Sequence, residues 1–407
     1  MRNLLGIAAA ALLFAGSALS LGATDFFARD FGARPDGVTL NTASIQAAID
    51  FASSRGGGRV VLDKGDYISG SIYLKNNVTL HIEKDAALVG SLNPYDYVKD
   101  PDAKWTALIL AVKQENIGLT GEGIVDGRGF DVGVRFVDFV HMGLIDDKLG
   151  NDRVNETIRP ENIHMYLCNN VTIKDITLKD PACWTQQYDK CRDLLIEGIT
   201  VDAKCYWNND GLDVVDCSDV IVRDCYIDSS DDSYCFKSHS NDGVSENILV
   251  ENCVGRSSAN GIKFGTYTRG KFKHFRFKNM TIFDTYRSAI TIATVDGAQI
   301  EDVEIDSLRS IHTGNPIFLR TGTRHVNEGH TAFLKDIVIK NMYAEVPFDK
   351  PDAGYSYEGP VEDLPRNVCP SIIAGLPGLR IENVRMENIE IVYPGHADPR
   401  SEERRVG

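Results

Sequence analysis

The chain has 407 residues, of which 43% are hydrophobic and 25% are charged, and its formal net charge at pH 7 is −15. The acidic balance disfavours nucleic acid and anionic membranes as partners, because both call for basic surfaces. One globular core of this length would be unusually large, whereas a repeat fold grows simply by adding units.

Residues 1–23 form the first predicted element. Arg2 precedes an apolar run from Leu4 to Leu19, and small residues follow it. These are the features of a secretory signal peptide, and the run is too short for a stable membrane span. We therefore expect a secreted or periplasmic protein whose mature part, residues 24–407, is one domain without a membrane span.

A short helix is predicted next, over residues 41–52. Apolar residues recur at helical spacing at Ile45, Ala48, Ile49 and Ala52 after a polar start. Because a stack of repeats needs a cap at its open end, we expect this helix to cover the N-terminal end of the stack.

A degenerate repeat fills most of the remaining chain. Each copy begins with Asn, Asp or His, continues with alternating apolar residues and ends in a second short strand. The clearest copies begin 23, 26, 28 and 27 residues apart, at Asn170, Asp193, Asp219, Asn247 and His274. Period-2 alternation indicates strands, and the regular spacing indicates a parallel β-solenoid. A β-sandwich would not explain why Asn or Asp returns at one repeat position.

Cysteines also recur with the repeat. Cys168, Cys191 and Cys217 occupy one region of it, and Cys225 and Cys253 share another position. Residues that share a repeat position stack on successive coils, so we predict interior ladders in which free cysteines pack as small hydrophobes. The cysteine count of nine is odd, so at least one cysteine is unpaired within a monomer. The sequence leaves open whether neighbouring ladder cysteines form disulfides. No CxxC spacing is present, which argues against a zinc site.

Three segments depart from the repeat. Residues 130–161 are predicted to form a long loop or small excursion over a cleft, and residues 320–368 interrupt the pattern again. The charged segment 398–407 has no capping pattern. Either it is a tail or the chain stops short of a final coil, and we favour the second interpretation.

Two acidic motifs, residues 208–211 and 230–233, lie about one coil apart. In a solenoid they fall on the same face of adjacent rungs, which are spaced by ~4.8 Å. Asp210, Asp231 and Asp232 then cluster in a groove, as acid/base cleavage of a glycosidic bond requires. The alternative is that these are ordinary turn residues. Asp231 and Asp232 can both face the groove only if the chain turns or bulges there.

These motifs resemble those of glycoside hydrolase family 28, the polygalacturonase-like enzymes. The resemblance runs from about Asp30 to Pro394 and is carried mainly by residues 207–211, residues 230–232 and Cys235, with further matches at 121–129. It implies an all-β, single-stranded, right-handed parallel β-helix and an inverting mechanism. By this resemblance Asp231 is the general acid, while Asp210 and Asp232 hold and deprotonate the attacking water.

The sequence departs from the family at two places. Asn260 stands where polygalacturonases carry His, and Thr291 and Ala293 stand where they carry Arg and Lys. Those two basic residues bind the substrate carboxylate in the family, so we expect weak activity on plain polygalacturonate. The predicted substrate-binding residues are Asn208, Lys237, His239, Asn260, Lys263 and Arg287.

Alternatives stay open for several of these residues. In the alternative interpretation, Lys237 and Lys263 are solvated groove residues. His239 is then a turn residue, and Arg287 pairs with Asp284. Trp184 and Trp207 either stack on sugar rings or form a hydrophobic wall.

The leading hypothesis is an inverting glycoside hydrolase that acts on galacturonan, rhamnogalacturonan or a related acidic polysaccharide. Exo action is favoured, because the segments 130–161 and 320–368 could wall off one end of the groove. We expect a monomer without cofactor or metal. The alternatives are a polysaccharide lyase on the same fold, with Ca²⁺ held by the aspartates, and a non-catalytic carbohydrate-binding β-helix.

Overall fold

The computed structural model describes residues 24–150, 153–324, 332–348, 351 and 371–393. The predicted signal peptide and the segment 398–407 lie outside these residues. The described chain consists mostly of short strands, with two α-helices and two single-turn 3-10 helices. In this part of the chain, no helix is both long enough and apolar enough to cross a membrane.

Short strands follow one another along the chain, and only a few helices interrupt them. The helices are α1 (Thr42–Ser54) and α2 (Gly129–His141), with 3-10 turns at Ala28–Phe31 and Pro94–Asp96. The first half of the strands comprises β1 (Asp25–Phe27), β2 (Asp36–Leu40), β3 (Gly58–Leu62), β4 (Gly65–Ser69), β5 (Ile72–Tyr73), β6 (Val78–Ile82), β7 (Ala86–Gly90), β8 (Ala107–Val112), β9 (Glu115–Thr120), β10 (Ile124–Asp126), β11 (Glu161–Tyr166), β12 (Asn169–Lys174), β13 (Thr177–Lys179) and β14 (Gln186–Asp189). The second half comprises β15 (Arg192–Glu197), β16 (Thr200–Ala203), β17 (Leu212–Val215), β18 (Ser218–Arg223), β19 (Tyr226–Ser229), β20 (Tyr234–Ser238), β21 (Val244–Glu251), β22 (Val254–Ser257), β23 (Asn260–Thr268), β24 (Lys271–Thr294), β25 (Gln299–Thr321), β26 (Phe333–Glu345), β27 (Ile372–Ala374) and β28 (Ile381–Val392).

Strand pairing arranges these elements as three parallel sheets. Sheet A stacks β1, β3, β6, β9, β12, β15, β18 and β21, and sheet B stacks β2, β4, β7, β10, β13, β16, β19 and β22. Sheet C stacks β5, β8, β11, β14, β17, β20 and β23. The long strands β24 and β25 bend through all three sheets. From β3 onward each coil thus contributes one strand to every sheet, which confirms the predicted parallel β-helix.

The pairing register matches the predicted repeat. In sheet A, Asn169 pairs with Arg192, Arg192 with Ser218, Ser218 with Glu246, and Glu246 with Lys273. These steps are 23, 26, 28 and 27 residues, as read from the sequence. Every pairing between named strands is parallel, so residues at one repeat position lie directly above one another.

The backbone conformation explains why Asn or Asp recurs at one position of the repeat. The φ angle is 53° at Asn170, 54° at Asp193 and 57° at Asp219, in the left-handed region that these residue types tolerate best after glycine. Their side chains also join successive coils, since Asn170 Nδ2 donates to Asn116 Oδ1 at 2.7 Å and Asn247 Nδ2 donates to Asp219 Oδ1 at 3.0 Å. The repeat position therefore marks a left-handed turn with a side-chain ladder.

The interior of the coils is apolar. The four apolar positions predicted for the N-terminal helix are fully buried in α1, which begins at Thr42 and ends at Ser54. The predicted ladder cysteines are all buried as well, and the eight cysteines among the described residues are free thiols. Beneath the later coils of sheet C, Phe236, Phe264 and Phe275 pack with ring centroids 4.9–5.6 Å apart.

The predicted loop over residues 130–161 contains a helix that the sequence pattern did not predict. Aromatic residues on α2 contact Tyr95, Tyr97 and Tyr206, at centroid distances of 5.2, 6.3 and 6.3 Å. This contact places the helix beside the chain segment that leads into the first acidic motif. Within 320–368, strand β26 continues the coils, while the rest of that stretch lies mainly outside the described residues.

Candidate active site

Two acidic turns precede neighbouring strands of sheet C. Asp210 comes just before β17, and Asp231 and Asp232 come between β19 and β20. The backbone N–H of Gly211 donates to the carbonyl of Asp232 at 2.8 Å, so the two motifs lie on adjacent rungs as predicted. Ser229 and Ser257 hydroxyls donate to the carbonyl of Asp231 at 2.7 and 2.6 Å and hold the turn.

A buried lysine joins the first motif to strand β20. Lys237 is 3% exposed, and its Nζ atom lies 2.8 Å from Asp210 Oδ2 and also binds Asp213. Burial opposes its charge, but Asp210 and Asp213 outweigh burial and raise the pKa of Lys237. Because one ammonium faces two buried carboxylates, one negative charge is left over. Burial raises the pKa of Asp213 to about 6, although Lys237 acts in the opposite direction.

Asp232 is held by donors from the next coil. Its Oδ1 accepts from the backbone N–H of Asn260 at 3.1 Å and from Asn260 Nδ2 at 2.6 Å. Lys263 Nζ lies 3.7 Å from its Oδ2. One oxygen of Asp232 and one of Asp210 lie within 4.8 Å of each other, a separation that a single water molecule can bridge.

Asp231 differs from its two neighbours in exposure. It is partly exposed, whereas Asp210 and Asp232 are 3% and 6% exposed. Its partial burial, and next the charge of Asp232, raise the pKa of Asp231, while Arg287 acts in the opposite direction. The most accessible carboxyl of the three is therefore also one that tends to keep its proton.

The same cluster does not suit a calcium ion. Asp210, Asp232 and the thiol of Cys235 converge, but Lys237 and Lys263 already stand beside the two carboxylates. Calcium takes six to eight oxygen ligands, and a thiol is not among them. These donors do not fit the Ca²⁺ site that the lyase hypothesis invoked.

Arg159, which the sequence patterns did not single out, organises the loop before Asp210. It is fully buried, and its Nη1 donates to the carbonyls of Ala182 and Trp207 at 2.9 Å each. Its Nη2 donates to Asn208 Oδ1 at 2.8 Å, so this predicted substrate-binding amide already has a partner for its oxygen. Arg159 lies in the segment that breaks the repeat, and no spacing pattern marks it.

A second unpredicted feature is a buried pair two coils before Asp213. Glu161 Oε2 lies 2.9 Å from His164 Nδ1, and both side chains are fully buried. Burial raises the pKa of Glu161 to about 7. His164 stacks on Trp105 at 6.0 Å, and Trp105 contacts Trp184 at 4.7 Å, so an aromatic layer covers the pair.

The remaining predicted residues fall into different environments. Lys237 and Lys263 are nearly buried, so the alternative that they are solvated groove residues is wrong. Lys237 was predicted to bind substrate, but its ammonium binds the carboxylates of Asp210 and Asp213. His239 follows β20, with Nδ1 3.9 Å from Asp189 Oδ2.

The two tryptophans are distinguished by their surroundings. Trp184 is 5% exposed, and Lys237 Nζ lies 3.6 Å from its ring centroid, so it forms part of the wall. Trp207 is partly exposed, and the guanidinium of Arg153 covers one face of its ring at 4.0 Å.

The two departures from the family motif also have defined neighbours. Thr291 is 4% exposed and its hydroxyl donates to Asn260 Oδ1 at 2.9 Å. Ala293 pairs with Arg320 on the next coil, and Arg320 is exposed. A basic residue thus lies one rung beyond the position where the sequence lacks one.

A parallel β-helix with three aspartates clustered on one sheet is the arrangement that the family resemblance implied. The chain belongs to glycosyl hydrolases family 28, whose model matches residues 57–346. A Vitis vinifera protein named "Probable polygalacturonase" is 27% identical over 80% of this chain and 62% of its own length. The chain therefore spans less than two thirds of that relative.

Solved structures share the fold. A Parabacteroides merdae crystal structure, described as that of a "putative glycosyl hydrolase", is 35% identical over 56% of this chain and 95% of its own, with a TM-score of 0.50. The family 28 exopolygalacturonase of Yersinia enterocolitica is 17% identical, with a TM-score of 0.66 over 93% of this chain and 79% of its own. At that identity the likeness concerns the fold alone.

Proposed function

We propose that the chain hydrolyses glycosidic bonds of pectic polysaccharides with inversion at the anomeric carbon. One observation carries the proposal. Asp210, Asp231 and Asp232 meet on adjacent rungs of sheet C, two of them within reach of one water molecule and the third more exposed. An inverting hydrolase needs one carboxylic acid that protonates the leaving oxygen and one carboxylate that activates a water molecule.

In this proposal Asp231 protonates the leaving oxygen. Burial raises the pKa of Asp231 and also that of Asp210, so the distinguishing feature of Asp231 is its partial exposure, which lets it reach a bound polysaccharide. A general acid works best when its pKa lies near the working pH, so burial and the neighbouring charge of Asp232 serve the reaction.

Asp232 and Asp210 hold and deprotonate the attacking water. Two N–H donors from Asn260 bind Oδ1 of Asp232, and the ammonium of Lys263 stands beside its Oδ2, so both oxygens are held in place. Asp210, tied to Lys237, supplies the second oxygen that orients the water. We assign Asp232 as the base and Asp210 as the orienting group.

A pectic substrate is supported by the relatives and by the basic residues around the groove. The Vitis protein is named a polygalacturonase and the Yersinia protein an exopolygalacturonase. In this acidic chain, Lys263, Arg287 and Arg320 supply the local positive charge that a uronate needs. Because Thr291 and Ala293 replace two basic residues, a rhamnose-containing or otherwise modified pectic chain is the preferred substrate in this proposal.

Exo action is supported by the packing of α2. Phe130 contacts Tyr206, and a Cβ at Gly133 would lie 2.6 Å from the Tyr206 ring, so the helix and the loop before Asp210 are closely packed. This packed wall stands on the N-terminal side of the aspartates. In the proposal it closes the groove there and limits binding to chain ends.

Product analysis tests the function directly. The purified protein is incubated with polygalacturonate, rhamnogalacturonan and their oligosaccharides, and the anomer first released is followed by NMR. Hydrolysis with inversion is expected. A product that absorbs at the wavelength of unsaturated uronates would indicate a lyase instead, and binding without any product would indicate a carbohydrate-binding module.

Export is also proposed, from the sequence of residues 1–23. Expression of the full chain in a bacterial host, followed by fractionation and mass spectrometry of its N-terminus, tests it. A cytoplasmic, uncleaved product would contradict it.

A further inference from the structure

We infer that Thr291 is a positioning residue that fixes the amide of Asn260 and, through it, the carboxylate of Asp232. The inference rests on the proposed function, because it gives Thr291 a part in the proposed reaction. Thr291 stands where the family resemblance implied contact with the substrate. Its hydroxyl instead contacts Asn260, whose amide binds Asp232, the proposed base.

The donors and acceptors of this chain of contacts can be oriented in only one way. An ionised carboxylate only accepts hydrogen bonds, so the nitrogen of the Asn260 amide must face Asp232 Oδ1, which lies 2.6 Å away. The amide oxygen then faces Thr291 Oγ1 at 2.9 Å and accepts from its hydroxyl. A flipped amide would present its oxygen to the carboxylate and its N–H to Thr291, and the bond to Asp232 would be lost.

Burial makes this orientation consequential. Thr291, Asn260 and Asp232 are 4%, 2% and 6% exposed, so water has little room to replace a missing partner. The strand register fixes the geometry further, because Asn260 pairs with Ser288 and Lys263 pairs with Thr291. The three residues come from three successive coils and therefore cannot shift independently of the sheet.

The first test compares Thr291→Val, which removes the hydroxyl at nearly constant volume, with Thr291→Ser, which keeps it. In Thr291→Val the amide is less well oriented toward Asp232, so kcat should fall ~10-fold, because small displacements of a catalytic group are costly. KM should change little, and Thr291→Ser should restore kcat. A raised KM with an unchanged kcat would show that Thr291 contacts substrate and would overturn the inference.

The matched control is Thr313→Val. Thr313 is also a fully buried threonine in the β-helix, but its hydroxyl has no hydrogen-bond partner among the described residues. This variant should keep the wild-type kcat. An equal fall of kcat in both variants would mean that the loss of any buried threonine hydroxyl produces it, which would contradict the inference.

A second measurement does not depend on activity. The loss of Tm caused by Thr291→Val is measured in the wild-type protein and in the Asp232→Asn background. It should be larger in the wild type, because the amide orientation matters most opposite a charged acceptor. Equal losses would overturn the inference even if the protein hydrolysed nothing. A wild type inactive on every pectic substrate, with unequal losses, would overturn only the proposed function.

Discussion

The Nζ atom of Lys237 lies 2.8 Å from Oδ2 of Asp210 and at the same time binds Asp213, so one buried ammonium serves two buried carboxylates. Removing one partner of a buried ion pair leaves a charge without compensation, which costs more than the pair itself contributes. Lys237 therefore links the stability of the coil to the ionisation of the site.

The Lys237→Met variant should lose ~3–5 kcal/mol of unfolding free energy at pH 7.5. The loss should be smaller at pH 5. In the wild type, burial raises the folded pKa of Asp213 to about 6, above its unfolded value, so its stabilising protonation is fully present at low pH and lost as pH rises through 6. Without Lys237 that protonation becomes more favourable still. Urea unfolding at the two pH values measures both effects.

Lys174→Met is the control for that experiment. Lys174 also forms an ion pair, with Glu197, but its side chain is 43% exposed. Exposed pairs contribute ~0–1 kcal/mol, so this variant should stay close to the wild type at both pH values. Equal losses in the two lysine variants would contradict the assigned role of Lys237.

Each of Asp210→Asn, Asp231→Asn and Asp232→Asn should lower turnover by at least ~10²-fold while the protein stays folded. The substitutions keep the shape and remove the titratable oxygen. Asp224→Asn is the matched control, because Asp224 is exposed on the same coil and its φ of 55° suits Asn. Near-normal turnover in the Asp231 variant would refute its role as the acid.

The Glu161→Gln variant should remove a fall in stability that the wild type shows as pH rises. Burial raises the folded pKa of Glu161 from 4.5 to about 7, so the folded protein gains from its proton below pH 4.5 and loses that gain as pH rises through 7. The difference corresponds to about 3 kcal/mol. His164, Asp213 and Lys237 also act on this group. Denaturant unfolding at pH 4.5, 6 and 8 measures the effect, and a wild-type slope retained in Glu161→Gln would rule it out.

The fold was predictable because its causes are local and periodic. Asn170 and Asp219 mark left-handed turns, and Cys225 and Cys253 stack in the interior, so single positions reveal the coil length. The adjacency of Asp210 to Asp232 followed from that length alone. Arg159 and Glu161 could not be found in this way, because they lie in or at the edge of a segment without a repeat and act through tertiary contacts.

Arg159→Lys should lower kcat by ~10–100-fold, because small displacements of a catalytic group are costly. Lysine keeps the positive charge but cannot serve Ala182, Trp207 and Asn208 with one planar group. The loop before Asp210 would then lose an anchor. Arg192→Lys, at an exposed position, is the control. Unchanged kcat in Arg159→Lys would show that the loop is held by its other contacts, such as those of Asn209.

The last prediction concerns specificity. Thr291 and Ala293 replace two carboxylate-binding residues of the family motif, and a charge-assisted contact contributes ~1.5–3 kcal/mol. The loss of two such contacts should cost more than ~10-fold on unsubstituted oligogalacturonides unless another basic residue compensates. Comparison of kcat/KM on oligogalacturonides and rhamnogalacturonan oligosaccharides measures the preference, and the latter should be the better substrate.

If oligogalacturonides are preferred instead, a neighbouring basic residue supplies the missing contact. Arg320 is the first candidate, because it is exposed and pairs with Ala293, whereas Lys263 is nearly buried beside Asp232. Arg320→Ala should then raise KM for oligogalacturonides ~10-fold or more. It should leave KM unchanged for substrates that place a neutral sugar at that subsite. Lys263→Ala should lower kcat on every substrate, because Asp232 loses its nearby ammonium. The opposite result, a KM effect confined to Lys263→Ala, would assign carboxylate recognition to Lys263.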